Sequence, residues 1–482
     1  MRTGTAPVGA VFDRGDTQNT APYFGIKGLV LAFLIAVVLC WPMLIAGGPL
    51  IFFDTYAYFE RGQKLVELVI GPVGAVADPA AGTQEGGNGL QGLRIRSLPY
   101  SLYVYLTASS PIGLYLTCIL QGTAVLWASL SLLPKLDRSA LRAIGSGAIV
   151  IGLLSGLPWF VSYAMPDILG AIVAIYYICL LTRIDHLSPK QSAVLALLTT
   201  GAILAHYGNL PLAGALALAV LAWRTWRGSL RMATVALALA PVLVAISFNL
   251  ALGALATNET SAAPNRLPIL LARSLEDGPA RWYLEDACET RDYAMCELFE
   301  DMPQDITAFL WAEEGYRTAS DAQVDAIRAE ENEILIEAFM RYPVEQTRAL
   351  LGNAVLQTVK VGTDDMWPVD PPSAALSPKS LAPIDDEAAK PFGMKAFDAI
   401  VPITTLFAAA ILVLAAASGR IDRSWQWAGA LLIAALMVNA VIFGGLSAPV
   451  DRYQGRIAWL VPAFLALIIG LRQDRTTPTT LD

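Results

Sequence analysis

A chain of 482 residues that is 55% hydrophobic and only 15% charged, with a mean hydropathy of +0.53, lies far from the composition of a soluble globular protein. Its net charge of −8 gives no sign of a nucleic-acid partner. Apolar runs recur along it at about the length needed to cross a hydrocarbon core roughly 30 Å thick, so an all-α polytopic membrane protein is expected.

Taken in chain order, residues 1–27 are polar and Gly-rich. They lack the charge, short apolar core and small-residue site of a cleavable signal, so the first span is expected to remain in the mature protein. Spans are expected at 28–46, 112–133, 143–158, 167–181, 192–205, 210–223, 232–256, 397–417, 425–445 and 457–471, about ten in all. Every second connection carries a basic excess: Lys135, Arg138 and Arg142; Arg183 and Lys190; Arg224, Arg227 and Arg231; Arg420 and Arg423; Arg472 and Arg475. The positive-inside rule then places both termini in the cytoplasm. The resulting layout is a cytoplasmic tail (1–27), a module of about seven helices (28–256) with a first outer loop at 47–111, an extracytoplasmic helical domain (257–396), a module of about three helices (397–471) and a cytoplasmic tail (472–482). The expected location is a bacterial inner (plasma) membrane.

The outer domain has 26 acidic residues against 12 basic ones, which accounts for the acidity of the whole chain. Its two cysteines, Cys288 and Cys296, lie in an oxidising compartment if the topology is right. A cysteine pair confined to an exported loop is therefore expected to form a disulfide, with two unrelated free thiols as the alternative that spacing alone leaves. Ser320 followed by Gln323 is a capping-box pattern, after which Val324, Ile327, Ile334, Leu335 and Phe339 recur near helical spacing. Pro343 opens a second helix, whose apolar face has either the bilayer surface or the membrane bundle to lie on. The Pro-, Ser- and Asp-rich stretch from Trp367 to Pro391 reads as a mobile lead-in to the next span.

Sorted by side, the unusual polar residues gather on the outer face. Asp54 and Glu60 follow the first span, and Arg94 and Arg96 precede the second. Asp167 opens a later span; His206, Tyr207 and Asn209 link two others. Asp451, Arg452, Gln454 and Arg456 link the last two. Ionisable groups at membrane depth are costly and point to a functional site. Each also has a plainer reading. Asp54 and Asp167 suit helix caps, Arg94 and Arg96 suit lipid headgroups, His206 a structural hydrogen bond, and Asp451 and Arg452 a surface ion pair.

Together the set suits displacement at a sugar carbon with a phosphate leaving group. A carboxylate takes the acceptor hydroxyl's proton, and arginines hold the departing phosphate. The segments "FFDTYAYFERGQKL", "RIRSLPYSLYVYL" and "MPDILGAIVAIYY" occur in an order that resembles the GT-C superfamily of membrane glycosyltransferases. The resemblance is architectural and covers about the first 180 residues; Thr follows Asp54 where the family often has a second acid. It implies Asp54 as general base, Asp167 as a second acidic residue of the site, arginines as a phosphate clamp, and a polyprenyl-phosphate-linked sugar as donor. Topology and charge add Glu60, His206, Tyr207, Asn209, Arg452, Gln454 and Arg456 as substrate-binding candidates. The acceptor is a lipid, glycan or protein, and membrane lipids are further partners. The sequence leaves open whether a divalent cation is needed, since Asp54 and Asp167 suit oxygen ligands as well as a base. A flippase or transporter of a lipid-linked or anionic solute, and a non-catalytic subunit of cell-envelope glycan assembly, are the competing classes. The topology predicts that Ser320→Cys is labelled by a membrane-impermeant thiol reagent in intact cells; labelling only after lysis would invert the orientation.

Overall fold

The computed structural model of the protein describes residues 25–71, 96–133, 145, 147–149, 151–256, 261, 266–312, 315–316, 318–366 and 392–476. Among these residues the secondary structure is helical with no strand, apart from an isolated backbone bridge between Leu50 and Tyr163. Among the described residues six helical stretches are long and apolar enough to cross a membrane: Ile26–Ala46, Leu114–Leu132, Met232–Ala254, Gly393–Ala417, Arg423–Gly445 and Asp451–Gly470. They make the chain a multi-pass membrane protein.

The helices of eight or more residues, numbered in chain order, begin with α1 (Ile26–Leu39), α2 (Phe53–Ile70), α3 (Leu98–Ala108) and α4 (Leu114–Ser129). α2 and α3 lie together because Gly62 has no side chain: a Cβ there would sit 2.2 Å from the Ser101 carbonyl oxygen. A 3₁₀ turn, Pro166–Leu169, leads into α5 (Gly170–Thr182), followed by α6 (Pro189–Ala205), α7 (Asn209–Trp226) and α8 (Met232–Ala256).

Of the ten expected spans, 143–158 extends into residues outside the described ones. Three more form α5, α6 and α7, which are not among the six long apolar stretches. α5 is the most instructive. Its 13 residues rise about 20 Å, short of a hydrocarbon core, and residues 170–181 are all buried. It is a central post of the bundle. Between helices in lipid there is little hydrophobic gain, so hydrogen bonds and close packing hold the contacts. Tyr176 and Tyr177 donate through their hydroxyls to the Leu237 and Ala238 carbonyls of α8 at 2.6 and 2.9 Å. At the far end of α5 the buried Arg224 of α7 donates to the Leu180 and Leu181 carbonyls at 3.0 and 3.1 Å. A cation thus closes the negative end of the helix dipole.

A second, separate core lies within residues 266–366, built from α9 (Ile269–Asp277), α10 (Pro279–Ala287) and α11 (Asp321–Arg341); α12 (Pro343–Val359) follows it and lies against Gly444 and Gly445 of the bundle. The capping box stands as expected: Ser320 Oγ accepts from Gln323 N–H at 3.3 Å, and Gln323 Oε1 accepts from Ser320 N–H at 3.0 Å. The buried stripe of α11 is Ile327, Glu331, Ile334 and Ala338, with Glu331 paired to Arg266 at 2.8 Å. Phe339, expected in that stripe, is exposed. The stretch from Trp367 to Pro391 lies outside the described residues. The chain then forms α13 (Phe392–Ala417), α14 (Arg423–Ala440), a π-helical turn Val441–Gly445, α15 (Asp451–Ala458) and α16 (Leu460–Thr476).

Cys288 and Cys296 are joined by the expected disulfide. Closing so short a loop restricts the unfolded chain by about 2.5 kcal/mol. Replacing both cysteines by Ser is expected to weaken the 266–366 core by that amount, read as faster amide exchange across α10 and residues 293–298. Unchanged exchange would mean that apolar packing alone sets its stability.

Candidate functional site

The site lies at the end of the bundle where α5 and α7 begin and α14 ends, and it is assembled from segments far apart in the chain. The stretch before α2 is stitched to the stretch before Asp167. Leu50 N–H donates to the Ser162 carbonyl and Ala164 N–H donates to the Leu50 carbonyl, both at 2.8 Å. Thr55, wholly buried, donates through Oγ1 to the Ala164 carbonyl at 3.2 Å and accepts the Phe52 N–H at 3.0 Å. Phe52 therefore occupies the N-cap position of α2, and Thr55 reaches back to its backbone. Asp54 is not the cap. Its carboxylate instead forms a salt bridge with Arg96, which stands just before α3.

Asp167 is 1% exposed, and neither carboxylate oxygen has a hydrogen-bond partner among the described residues. The turn it belongs to has no side-chain cap, so the capping reading fails here too. Arg452, Arg456 and Asp54 lie within electrostatic reach of it. Arg456 is fully buried against Gly170, where a Cβ would sit 3.2 Å from the guanidinium carbon. Its Nε and Nη2 donate to Asn439 Oδ1 at 3.2 and 2.8 Å, and the guanidinium lies 4.0 Å over the Phe443 ring. Nη1 has no partner. Arg452 lies 3.8 Å over the Phe52 ring and donates to the Tyr453 hydroxyl at 3.2 Å. Neither arginine has an ion-pair partner within salt-bridge distance among the described residues. Aromatic faces and an amide hold them instead, leaving their charge unneutralised.

α15, which carries both arginines, is fastened at its N-terminus by the segment 266–366. Gln357 of α12 exchanges two hydrogen bonds with the Val450 backbone, at 2.8 and 3.0 Å. Asp365 accepts the Arg452 N–H at 3.0 Å. Asp451 accepts the Gly362 N–H at 2.7 Å and lies 3.5 Å from Lys360. Asp451 and Arg452 thus pair with other groups and not with each other. These contacts satisfy backbone donors that a helix start leaves open.

The other candidates divide. Asn209 is buried beside Arg456; its amide nitrogen donates to the Ala202 carbonyl at 2.8 Å and its oxygen is unpartnered. His206 stacks on Phe443, and its Nδ1 accepts the Gly208 N–H at 3.1 Å. Tyr207 is half-buried in the same turn. Gln454 is structural: it accepts from Asn439 at 2.8 Å and donates to the Leu436 carbonyl at 3.1 Å. Glu60 lies about 9 Å further along α2 than Asp54 and about 120° around it, so it faces elsewhere. Arg94 lies outside the described residues. Asn439 went unread in the sequence, although an amide inside an apolar span is itself the signal. Among the described residues no group of three or more His, Cys, Asp or Glu is placed to hold a metal ion. Arg96 pairs with Asp54, and Arg452, Arg456 and Asp54 lie within electrostatic reach of Asp167.

Burial, then Arg456, Arg452 and Arg96, push the His206 imidazole well below its ordinary value, so it is neutral in the fold. Above about pH 6.5 the unfolded chain holds it neutral too, and it has no effect on stability. As pH falls below that value, the unfolded state takes up a proton that the folded state refuses. Stability then drops by up to about 1.4 kcal/mol per pH unit from this group. His206→Asn keeps the acceptor for Gly208 and removes the titration. The loss of thermal stability between pH 6.5 and 5 is expected to be shallower in this variant than in the native protein; equal slopes would show that His206 is protonated in the fold.

No protein-family model, curated protein or solved structure matches this chain.

Proposed function

We propose that the protein is a membrane glycosyltransferase of the GT-C type. It moves a sugar from a polyprenyl-phosphate-linked donor to a lipid, glycan or protein acceptor at the extracytoplasmic face of a bacterial inner membrane. One observation carries this reading: the ionisable side chains of Asp167 and Arg456 are buried with polar atoms left unpartnered, and Arg452 beside them has no ion-pair partner among the described residues. Buried charges are costly unless paired. A phosphate against the arginines and sugar hydroxyls against Asp167 supply the missing partners.

In the transfer, the acceptor hydroxyl oxygen attacks the anomeric carbon. The bond from that carbon to the phosphate oxygen breaks, and its electron pair leaves with polyprenyl phosphate. The hydroxyl proton passes to a carboxylate, the role assigned to Asp54. Arg96 holds Asp54 in the resting protein. A donor phosphate that draws Arg96 onto itself releases the Asp54 carboxylate to act as base. Arg452 and Arg456 stabilise the charge growing on the departing phosphate. Asp167 orients the sugar hydroxyls.

Asp54→Asn is expected to lower turnover of a labelled polyprenyl-phosphate sugar by about 10²-fold or more in a folded, membrane-inserted protein. Arg452→Ala should weaken donor use, and Arg452→Lys should restore it only in part, because an ammonium lacks the planar face that rests on Phe52. Native-rate transfer by Asp54→Asn removes the base from this residue. Movement of intact donor across a vesicle membrane, with no sugar released, replaces the enzyme by a flippase.

A further inference from the structure

α12 (Pro343–Val359) has two unlike faces. At about 100° per residue, Leu350, Asn353, Ala354 and Gln357 form one side. This side is pressed onto the end of α14. A Cβ on Gly444 would sit 2.4 Å from the Gln357 side chain and 2.7 Å from the Asn353 carbonyl, and one on Gly445 would sit 3.2 Å from Leu350. On the opposite side Val344, Leu351, Val355 and Val359 fall within an arc of about 80°, and all four are exposed. Val344 and Val355 are 72% and 67% exposed. Ile336 and Met340 near the end of α11 are exposed as well, and the exposed Arg348 falls within the same arc of α12.

What covers this strip follows from its depth. α12 crosses α14 where that span ends in the π-helical turn Val441–Gly445. Val441 and Leu446 beside the crossing are exposed, and Val441 continues the ridge of exposed Ile433 and Met437 along α14. On a helix long and apolar enough to cross a membrane, such a ridge faces lipid. α12 presents its aliphatic strip outward at the level where that ridge meets the membrane boundary. An Arg on a long aliphatic stem within the strip matches phosphate headgroups at that depth.

We infer that α12 is an interfacial helix. Its Val344–Val359 face is seated in the boundary between headgroups and acyl chains of the leaflet on the side of the 266–366 core, with Arg348 reaching the phosphates. This holds independently of the transfer reaction. The same helix supplies Gln357 to the start of α15, so the lipid surface sets the depth at which Arg452 and Arg456 stand.

Nitroxide collision measurements in phospholipid nanodiscs test the inference. A label is placed at Val355→Cys, with the free cysteines Cys40, Cys118 and Cys179 replaced by Ala and the Cys288–Cys296 bridge kept. Asp301→Cys, on an exposed turn, serves as the aqueous reference. Oxygen partitions into lipid and a nickel chelate stays in water. The oxygen-to-nickel collision ratio is expected to be several-fold higher at Val355 than at Asp301, and Leu351→Cys should give the same result. Equal ratios would place the strip in water and overturn the inference. Exclusion of both reagents would also overturn it, by showing that protein, from this chain or a second copy, covers the strip.

Discussion

The two carboxylates of the site stand near each other because of backbone hydrogen bonds between Leu50 and residues 162–164. This is the constraint on which the rest depends. A residue in the first connection and one more than 100 positions later are held by main-chain geometry, which a side-chain change leaves intact. Gln121 reinforces the junction, donating to the Tyr163 carbonyl while accepting from the Tyr100 hydroxyl at 3.0 Å. Tyr100 in turn packs edge-on to Tyr58 of α2. The backbone groups of Leu50, Ser162, Tyr163 and Ala164 that bond here are thus satisfied inside the protein, a condition for non-helical backbone at membrane depth.

Against this fixed pair of acids the arginines are held by softer means. Arg456 is gripped by an amide, an aromatic face and a glycine that makes room; Arg452 lies between two rings. A carboxylate partner for each would have made a closed salt-bridge network with nothing left to offer. An amide or a ring orients a guanidinium while leaving its charge to a ligand. Only Arg96 is neutralised, by Asp54, and that pair sits where the first connection meets α3.

The segment 266–366 contributes no acid or base to the proposed reaction, yet the site is incomplete without it. Gln357, Gly362 and Asp365 bond the first residues of α15, an eight-residue helix too short to be stable alone. Arg273, buried between α9 and the loop after α14, pairs with Asp277 at 2.6 Å and donates to the Ser447 carbonyl at 3.4 Å. The stability of this segment is therefore coupled to the orientation of Arg452 and Arg456.

Much of this was legible in the chain itself. The apolar runs, the helix start at Ser320, the proline-led α12 and the gathering of Asp54, Arg96, Asp167, Asn209, Arg452 and Arg456 at one end all follow from periodicity, capping and hydropathy, which act over a few residues. Pairings were not legible. The plainer reading of Asp54 is a helix cap, because Asp favours that position; only packing shows that Phe52 stands at the cap with Thr55 bonding its backbone, and that Asp54 meets Arg96, 42 positions away. Phe339 had the right period for the core of α11, but periodicity cannot choose between neighbouring faces. The buried place went to Glu331, which is tolerable there because Arg266 reaches it. Asn439 was overlooked as one amide in an apolar run, because its purpose exists only when α15 lies against α14. Short-range rules thus settled which segments are helices and which residues are too polar for their surroundings. Which of those residues touch was decided by tertiary packing, since their partners are fixed by geometry and not by spacing along the chain.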